Sequence, residues 1–265
     1  MERTPSVPSV KIATWNVNSV RARLARLLDW LGRAAPDVVA LQELKVPDEE
    51  FPEAELREAG YHAAFHGQRT YNGVAILSRA PAAQVAAGLE GGSAEDQARL
   101  IGATVGGIRI LSAYFPNGQV VGSDKWQYKL EWMDRLRDHL ARSYRPSEPL
   151  VLCGDFNVAP EDRDVARPAE WAGSVLCHPD ARQALARIGE WGLVDSMRLH
   201  EPGPGPYSWW DYRMLAFPKG NGLRIDHILL TEPLAARCTR AWVERNERKG
   251  KLPSDHAPVM IELSA

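Results

Sequence analysis

The sequence of 265 residues is poor in cysteine, in long apolar runs and in net charge of either sign. Its three cysteines, Cys153, Cys177 and Cys238, are odd in number and widely spaced. They fit neither a disulfide framework nor a zinc site and favour a reducing cytoplasm. No segment approaches the roughly 18 apolar residues of a membrane helix. The N-terminus has no apolar signal core, so we expect neither export nor a membrane partner.

The net charge and the overall composition narrow the class of protein further. A formal net charge of −2 argues against gross electrostatic capture of nucleic acid. It still permits a local basic face beside a carboxylate-rich site that binds a cation. Hydrophobic residues make up 45% and charged residues 25% of the chain. Because that proportion supplies enough apolar surface for a core, a mostly disordered chain is excluded.

Apolar patterning predicts strands that alternate with helices, with several strands joined as hairpins. Residues 1–9 are expected to form a loose tail, and residues 10–265 a single domain. The predicted strands span 10–16, 37–42, 61–65, 73–78, 100–105, 108–115, 149–154, 223–230 and 257–263. One predicted helix begins after Ser19 and ends before Pro36. Three others span 48–58, 124–144 and 181–191. This order favours an α/β sandwich of mixed sheets with helices outside.

Polar side chains recur where apolar strands end. They are Asn16 and Asn18, Glu43, Tyr114 and Asn117, and Asp155 and Asn157. Strand ends and the loops that leave them are where rigid scaffolds hold reactive groups. Taken singly, each residue also fits ordinary turn chemistry or a surface position. Only the repeated pattern indicates a site.

Three of these residues suggest binding of a hard cation and activation of water. Glu43 follows a buried strand, and Mg²⁺ accepts one or two protein carboxylates while it keeps several waters. Asp155 and Asn157 present oxygens after Gly154, which allows close approach of the backbone. An Asx-turn explains the Asp155 segment equally well.

A carboxylate inside an apolar strand indicates a buried ion pair. Asp226 lies in the run LRIDHILL, where an unpaired carboxylate would be expensive. His256, in the motif SDHAP, is a good partner for Asp226, because such a pair fixes the imidazole tautomer and favours its protonated form. A purely structural pair is the alternative.

An aromatic cluster, Tyr207–Arg213, follows the Pro/Gly-rich segment 202–206, which we interpret as a loop and not as a domain linker. Exposed aromatics beside arginine can stack on bases or fill an extrahelical gap in a duplex. Packing in the core is the competing explanation, since Trp is usually buried.

Taken together, the motifs resemble one known family. WNVN, LQELK, AYFPNG, GDFN, WWDYR, LRIDHILL and SDHAP occur in the order found in the exonuclease III family of bacterial apurinic/apyrimidinic endonucleases, within the endonuclease/exonuclease/phosphatase superfamily. The matches run from Lys11 to Leu263. The superfamily motifs imply the chemistry, whereas WWDYR and YFPNG point to the DNA-repair branch.

The resemblance implies a four-layer α/β sandwich, two sheets packed face to face with helices outside, and a phosphodiesterase that depends on Mg²⁺ or Mn²⁺. It implies Glu43 as the main metal ligand with Asn16 nearby, Asp155 as the residue that orients or deprotonates water, and Asp255 on the metal side. The metal-binding set is Glu43, Asn16, Asp155, Asn157, Asp255 and His256, and the catalytic set is Asp155, Asn157, His256, Asp226, Tyr114 and Asn16. The resemblance further implies that Asn157 and His256 would stabilise the phosphoryl group. By the same resemblance, Asp226 would support His256, and Tyr114 would contact the phosphate or assist the leaving group.

The same resemblance implies duplex DNA with abasic sites or 3′ ends as the partner. Trp209, Trp210 and Leu223 correspond to the pocket for a flipped abasic sugar, and the DNA-binding set also includes Asn117, Gln119, Lys125 and Arg213. An abasic sugar has no base to unstack, so its extrusion costs less than that of a normal nucleotide. The expected enzyme is a monomer without a nucleotide cofactor that cuts 5′ to an abasic site, leaves a 3′-hydroxyl and trims 3′ ends.

Two positions depart from the family pattern. Trp210 stands where the family often has Phe, which puts the balance of endonuclease and exonuclease activity in question. His227 stands where Leu is common and is an alternative partner for Asp226. Two other functions stay open: a phosphatase or phosphodiesterase for a small or lipid substrate, and an inactive relative that binds nucleic acid.

Overall fold

The computed structural model describes residues 9–89 and 97–265. Within them, the first strand begins at Ser9, one residue before the predicted start of the domain. The other residues of the predicted tail lie outside the described part of the chain.

Twelve strands form two mixed sheets in the described part of the chain. The first sheet has the order β11-β12-β1-β2-β4-β3, with strands β1 (Ser9–Asn16), β2 (Val38–Gln42), β3 (His62–His66), β4 (Val74–Ser78), β11 (Cys238–Val243) and β12 (Val259–Ser264). The second has the order β5-β6-β7-β8-β10-β9, with strands β5 (Ala83–Ala87), β6 (Leu100–Val105), β7 (Ile108–Tyr114), β8 (Leu150–Asp155), β9 (Leu193–Asp195) and β10 (Asp226–Thr231). Only β1–β2 and β7–β8 pair in parallel among these strands.

The two sheets pack face to face over β-branched residues from alternate strand positions. Ile12 and Ile76 of the first sheet and Ile110 and Ile228 of the second are buried in this shared core. A sheet whose other face is also covered has apolar residues on both sides, which explains the nearly continuous apolar runs of β2 and β8.

Helices cover the outer faces, as the resemblance implies for a four-layer sandwich. They are α1 (Val20–Ala34), α2 (Glu53–Glu58), α3 (Asp124–Ser143), α4 (Pro168–Trp171), α5 (Pro179–Gly189), α6 (Ser196–His200) and α7 (Glu232–Ala235). The Trp30 ring of α1 packs edge-on against Trp15 of β1, with 5.3 Å between ring centroids. On the second sheet, α3 and α5 contribute Leu136, Leu140 and Ile188 to a separate core.

The predicted α/β sandwich is confirmed, and most predicted elements are present with small shifts. The predicted helix 48–58 is wrong in its continuity: a 3₁₀ turn at Asp48–Glu50 and α2 are separated by Pro52, whose ring disfavours a continuous helix. The predicted strand 223–230 begins only at Asp226.

Three strands were not predicted: β5, β9 and β11. Every residue of the edge strand β5 is exposed, so it lacks the apolar alternation that predicts a half-buried strand. β9 is only three residues long. No helix of the described residues is long and apolar enough to span a bilayer.

Topology places the polar strand ends in one region. Asn16 ends β1 directly beside Gln42, the last residue of the parallel strand β2. In the second sheet, Tyr114 at the end of β7 lies opposite Asp155 at the end of β8. Since parallel strands share a carboxyl edge and the sheets pack face to face, this edge gathers the candidate residues.

Close packing at this edge requires a glycine at position 154. Gly154 has φ +147°, and a Cβ there would overlap the carbonyl oxygen of Ala113 on the adjacent strand. We expect Gly154→Ala to lower the free energy of unfolding by about 3 kcal/mol through strain and overpacking. Urea denaturation measures this loss.

The matched control is Gly189→Ala at the end of α5, where an added Cβ meets nothing within 4 Å. We expect this change to be neutral or slightly stabilising. Equal stability of the two variants would show that the β7–β8 approach does not need glycine.

Candidate active site

The Asn16 amide bridges the two sheets at the carboxyl edge. The side-chain nitrogen of Asn16 donates to Glu43 Oε1 at 2.8 Å and to Asp155 Oδ2 at 2.9 Å. The Asn16 side-chain oxygen accepts the backbone N–H of Asn18 at 2.9 Å. Asn16 thus holds two carboxylates near each other, one from the segment after β2 and one from β8.

Glu43 has two further partners. The phenol of Tyr114 donates to Glu43 Oε1 at 3.0 Å, and the Lys45 ammonium lies 2.8 Å from Glu43 Oε2. Lys45 also donates to the side-chain oxygen of Asn18 at 2.5 Å. These contacts fix the direction of the Glu43 carboxylate.

Asp155 and Asn157 form one turn after β8. The backbone N–H of Asn157 donates to Asp155 Oδ1 at 2.9 Å, which is the Asx-type contact considered from the sequence. The Asn157 side-chain nitrogen donates to the Phe115 carbonyl at 3.0 Å, and Asn117 donates to Asn157 Oδ1 at 2.9 Å. The turn chemistry therefore coexists with placement of both side chains in the cluster.

The pairing of Asp226 with His256 agrees with the sequence prediction. His256 Nδ1 lies 2.8 Å from Asp226 Oδ2, and Ser208 Oγ donates to that same carboxylate oxygen at 2.6 Å. The other ring nitrogen of His256 lies 3.7 Å from Asp155 Oδ2. An Asp226–His256–Asp155 series therefore crosses the buried centre of the site.

Burial by itself would lower the pKa of His256, but the Asp226 and Asp155 carboxylates raise it to about 10. A raised pKa means that the charged pairing stabilises the fold fully below the ordinary His value of about 6.5 and loses this effect as pH rises through about 10. At neutral pH His256 is an imidazolium, and it has a proton to donate to an anion.

The pKa of Asp155 rises to about 7 because the carboxylate is buried, and the Asp226 and Glu43 carboxylates add to the shift, which the His256 charge opposes. Burial, with the nearby Glu43 charge, also raises the pKa of Tyr114 well above its usual value. Tyr114 therefore keeps its phenol proton, while Asp155 is poised to accept one near neutral pH.

The same crowding of negative charge fits a divalent cation. Atoms of Glu43, Asp155 and His256 lie within 4.8 Å of one another. His256 Nδ1 is occupied by Asp226, and metal ligation by the other ring nitrogen stays a prediction. The two carboxylates are the groups that could hold the ion, whose charge would relieve the repulsion between them.

Asp255 connects this cluster to the aromatic segment. One of its carboxylate oxygens accepts from the Asn18 side chain at 3.0 Å and the other from the Trp209 indole N–H at 3.0 Å. Burial alone would raise the pKa of Asp255, but the adjacent His256 charge, with these neutral donors, holds it below its usual value. Asp255 is therefore well placed to orient Trp209, and metal ligation by Asp255 stays a prediction.

Trp209 and Leu223 lie together, as the pocket hypothesis requires. Their backbone N–H groups and carbonyls exchange two hydrogen bonds of 2.9 Å, and both side chains belong to one apolar cluster. Ile225 is buried in the same cluster, and Trp171 packs edge-on against Trp209 at 5.7 Å between centroids. Sequence reasoning missed Ile225, although its position two residues after Leu223 places both on the same side of an extended segment.

Trp210 belongs to a different cluster from its neighbour Trp209. It is fully buried with Ala216 and Ala257, and its ring meets Phe217 edge-on at 5.1 Å. Consecutive residues of an extended segment point to opposite sides, which explains the separation. The presence of Trp210 where the family often has Phe therefore changes the packing on the side of the segment away from Trp209. A pocket role for Trp210 stays a prediction.

The predicted DNA-contacting residues occupy two places. Asn117, Gln119 and Lys125 line one cavity of about 380 Å³, which Tyr114 and Arg99 also border. The Arg99 guanidinium lies over the Tyr114 ring, 4.9 Å from its centroid, and no motif in the sequence marks Arg99 as a site residue. Arg213 lies elsewhere, in the exposed loop after Trp210, and pairs with Asp211 at 3.1 Å.

His227 faces away from Asp226. Its Nε2 lies 2.9 Å from the carbonyl of Val158, and Arg224 donates to its Nδ1 at 3.1 Å. Burial, helped by the Arg224 charge, lowers the pKa of His227 to about 4. The partner of Asp226 in the structure is therefore His256, and His227 is a neutral packing residue.

Comparisons with known proteins agree with this geometry. Residues 13–256 match the model of the Endonuclease/Exonuclease/phosphatase family. This chain belongs to that family. Exodeoxyribonuclease III of Haemophilus influenzae is 34% identical over 96% of this chain and 100% of its own length.

Solved structures of similar proteins agree with this result. An AP endonuclease from Archaeoglobus fulgidus has a TM-score of 0.94 at 41% identity and covers 97% of this chain and 100% of its own. A 3′-5′ exonuclease from Neisseria meningitidis has a TM-score of 0.91 at 41% identity, with the same coverage. The resemblance inferred from the motifs is thereby confirmed, and metal dependence is typical of this family.

The ion pair at the centre of the site can be tested by NMR titration of the histidine rings. We expect the His256 ring of the wild-type protein to stay protonated at pH 8, because its pKa is about 10. In Asp226→Asn the nearest carboxylate is lost, so the His256 pKa should fall. His227, with a pKa of about 4, serves as an internal reference that stays neutral above pH 6. A wild-type His256 that titrates near pH 6.5 would contradict this charge assignment.

Proposed function

We propose that this protein is a DNA-repair nuclease that hydrolyses the phosphodiester 5′ to an abasic site in duplex DNA and leaves a 3′-hydroxyl. The observation that carries this proposal is the contact between Trp209 and Asp255. It joins a phosphodiesterase-like cluster of Asp155 and His256 to an apolar cluster suited to a sugar without a base. The exodeoxyribonuclease and AP endonuclease relatives support the same reaction.

In this proposal the catalytic residues act at three positions: at the attacking water, at the phosphoryl oxygens and at the leaving oxygen. Asp155 orients the attacking water and accepts its proton. The His256 imidazolium and the Asn157 side chain stabilise charge on the phosphoryl oxygens. Tyr114 retains its proton and can hydrogen-bond to the phosphate or the leaving oxygen. The water oxygen bonds to phosphorus as the P–O3′ bond breaks, and the leaving O3′ takes a proton from Tyr114 or from solvent and becomes the 3′-hydroxyl.

Glu43 and Asp155, linked through Asn16, would hold Mg²⁺ or Mn²⁺. When bound, such an ion offsets negative charge on the phosphate oxygens. Asn16 orients the two carboxylates through its N–H groups, and its oxygen, which accepts one hydrogen bond from Asn18, keeps a second lone pair for the ion. All of these residues come from one chain, which supports action as a monomer.

Exonuclease action on 3′ ends is a second activity of the same site. The Neisseria meningitidis 3′-5′ exonuclease, at 41% identity, supports it. A frayed 3′-terminal nucleotide presents its phosphodiester without the cost of opening an internal base pair. The cavity lined by Asn117, Gln119 and Lys125 supplies amide and ammonium donors for the DNA backbone.

The test uses a labelled duplex with one tetrahydrofuran abasic analogue, incubated with Mg²⁺ or with excess EDTA. We expect metal-dependent nicking on the 5′ side of the lesion and slow degradation of the undamaged duplex. Asp155→Asn should lower the single-turnover rate by about 10³-fold while it retains DNA affinity, since it loses the proton acceptor and a charged metal ligand but no contact with DNA. Failure of the wild-type protein to nick the lesion with either metal would refute the proposal.

The apolar cluster generates a separate prediction about substrate choice. We expect Trp209→Ala to lower incision at the abasic analogue by about 10-fold or more and to affect 3′-end degradation less, because only the first reaction uses the pocket. The ratio of the two rates is the measurement.

Trp191→Ala is the control, because Trp191 packs on the distant core beneath α3 and α5. It should leave the ratio unchanged. If Trp209→Ala lowers both rates equally and loses thermal stability like the control, Trp209 is a packing residue only.

A further inference from the structure

A buried lysine lies behind the phosphate-facing side of the site. Lys129 is in the second turn of α3, and its side chain is fully buried. Lysine is almost never fully buried unless it is paired, and a buried ammonium carries a desolvation cost. The partners of this lysine are therefore informative.

The Lys129 ammonium donates to three backbone carbonyls. The distances from Nζ are 3.1 Å to Asn117, 2.8 Å to Asn157 and 2.7 Å to Val175. An ammonium has three protons, one for each carbonyl, whereas a neutral amine has only two. Burial lowers the pKa of Lys129 to about 7, and the Asp155 carboxylate favours the charged form.

These three carbonyls belong to three different loops. Asn117 follows β7, Asn157 follows β8, and Val175 lies between α4 and α5 beside the Trp209 cluster. Asn157 has a left-handed backbone with φ +51°, which is costly for a residue other than glycine. The Lys129 ammonium holds the carbonyl of this residue at 2.8 Å.

The loops in turn fix the direction of the Asn157 side chain. With its oxygen held by Asn117 and its nitrogen held by the Phe115 carbonyl, the Asn157 amide has one orientation. These two hydrogen bonds form only if the loops that contain Asn117 and Asn157 keep their relative position. The Lys129 ammonium maintains that position because it binds a carbonyl of each loop. An apolar side chain would fill the same space but leave three buried carbonyls without these donors.

We propose that Lys129 is the positioning residue that sets the Asn157 side chain, and the loop containing Asn117, against the scissile phosphate. This inference rests on the proposed nuclease function. Lys129 contacts no substrate in this account and acts only through the loops that it joins.

The experiment compares Lys129→Met, which keeps the length and loses the donors, with Lys129→Arg, which keeps charge and donors. Leu140→Ala is the matched control, because Leu140 is buried on the same helix in the core cluster of α3 and makes none of these loop contacts. Should Lys129→Met fail to fold, Lys129→Gln, which retains two donor protons, takes its place. All rates are measured at a temperature where every variant is folded.

We expect Lys129→Met to lower the single-turnover incision rate by about 100-fold while DNA affinity in EDTA changes by less than about threefold, because displacement of a catalytic group affects the transition state most. Lys129→Arg should recover most of the rate. Leu140→Ala should lose stability without this loss of rate.

A second measurement does not depend on activity. In protein labelled with ¹⁵N-asparagine, the side-chain amide resonances of Asn117 and Asn157 should shift or broaden in Lys129→Met and stay unchanged in Leu140→Ala. Unchanged amide resonances, or a rate loss no greater than that of Leu140→Ala, would overturn the assignment. If the wild-type protein does not incise DNA, the nuclease proposal fails, and the NMR result still decides whether Lys129 positions the loops.

Discussion

The site depends on the burial of Asp155 between the cationic His256 and the anionic Glu43. The Asp155 carboxylate accepts a hydrogen bond from the Asn16 amide and faces the His256 imidazolium, whose other ring nitrogen is bound to Asp226. Burying these charges is costly, and only their mutual arrangement offsets the cost. The raised pKa of Asp155 shows that the compensation is incomplete. A site of this kind is under electrostatic stress that a cation such as Mg²⁺ could relieve.

The fold creates this arrangement because two parallel strand pairs, one in each sheet, end at the same edge. Asn16 comes from the first sheet and Asp155 from the second, so the sheet-to-sheet packing sets the distance between them. Gly154 permits the close approach of β8 to β7, and the left-handed backbone of Asn157 turns the chain immediately afterwards. Local strain at functional positions is stable only when the surroundings over-determine it.

Sequence patterning was sufficient for the sandwich and for the polar strand ends, because buried strands and turn residues leave local signals. It also paired Asp226 with His256 from the cost of an isolated carboxylate. It could not detect Lys129, since a lysine on a helix is usually solvated and its partners are backbone carbonyls of distant loops. The separation of Trp210 from Trp209 and the inclusion of Ile225 likewise depend on tertiary packing.

The proposed reaction depends on a cation held by Glu43 and Asp155. Binding of Mn²⁺ to the metal-free protein, followed by electron paramagnetic resonance, measures this site, with Glu43→Gln as the comparison. We expect the wild-type protein to bind Mn²⁺ and Glu43→Gln, which replaces a charged oxygen ligand with a neutral amide, to weaken the affinity by about 10-fold or more. Equal affinity in the two proteins, or no Mn²⁺ binding to the wild type, would contradict it.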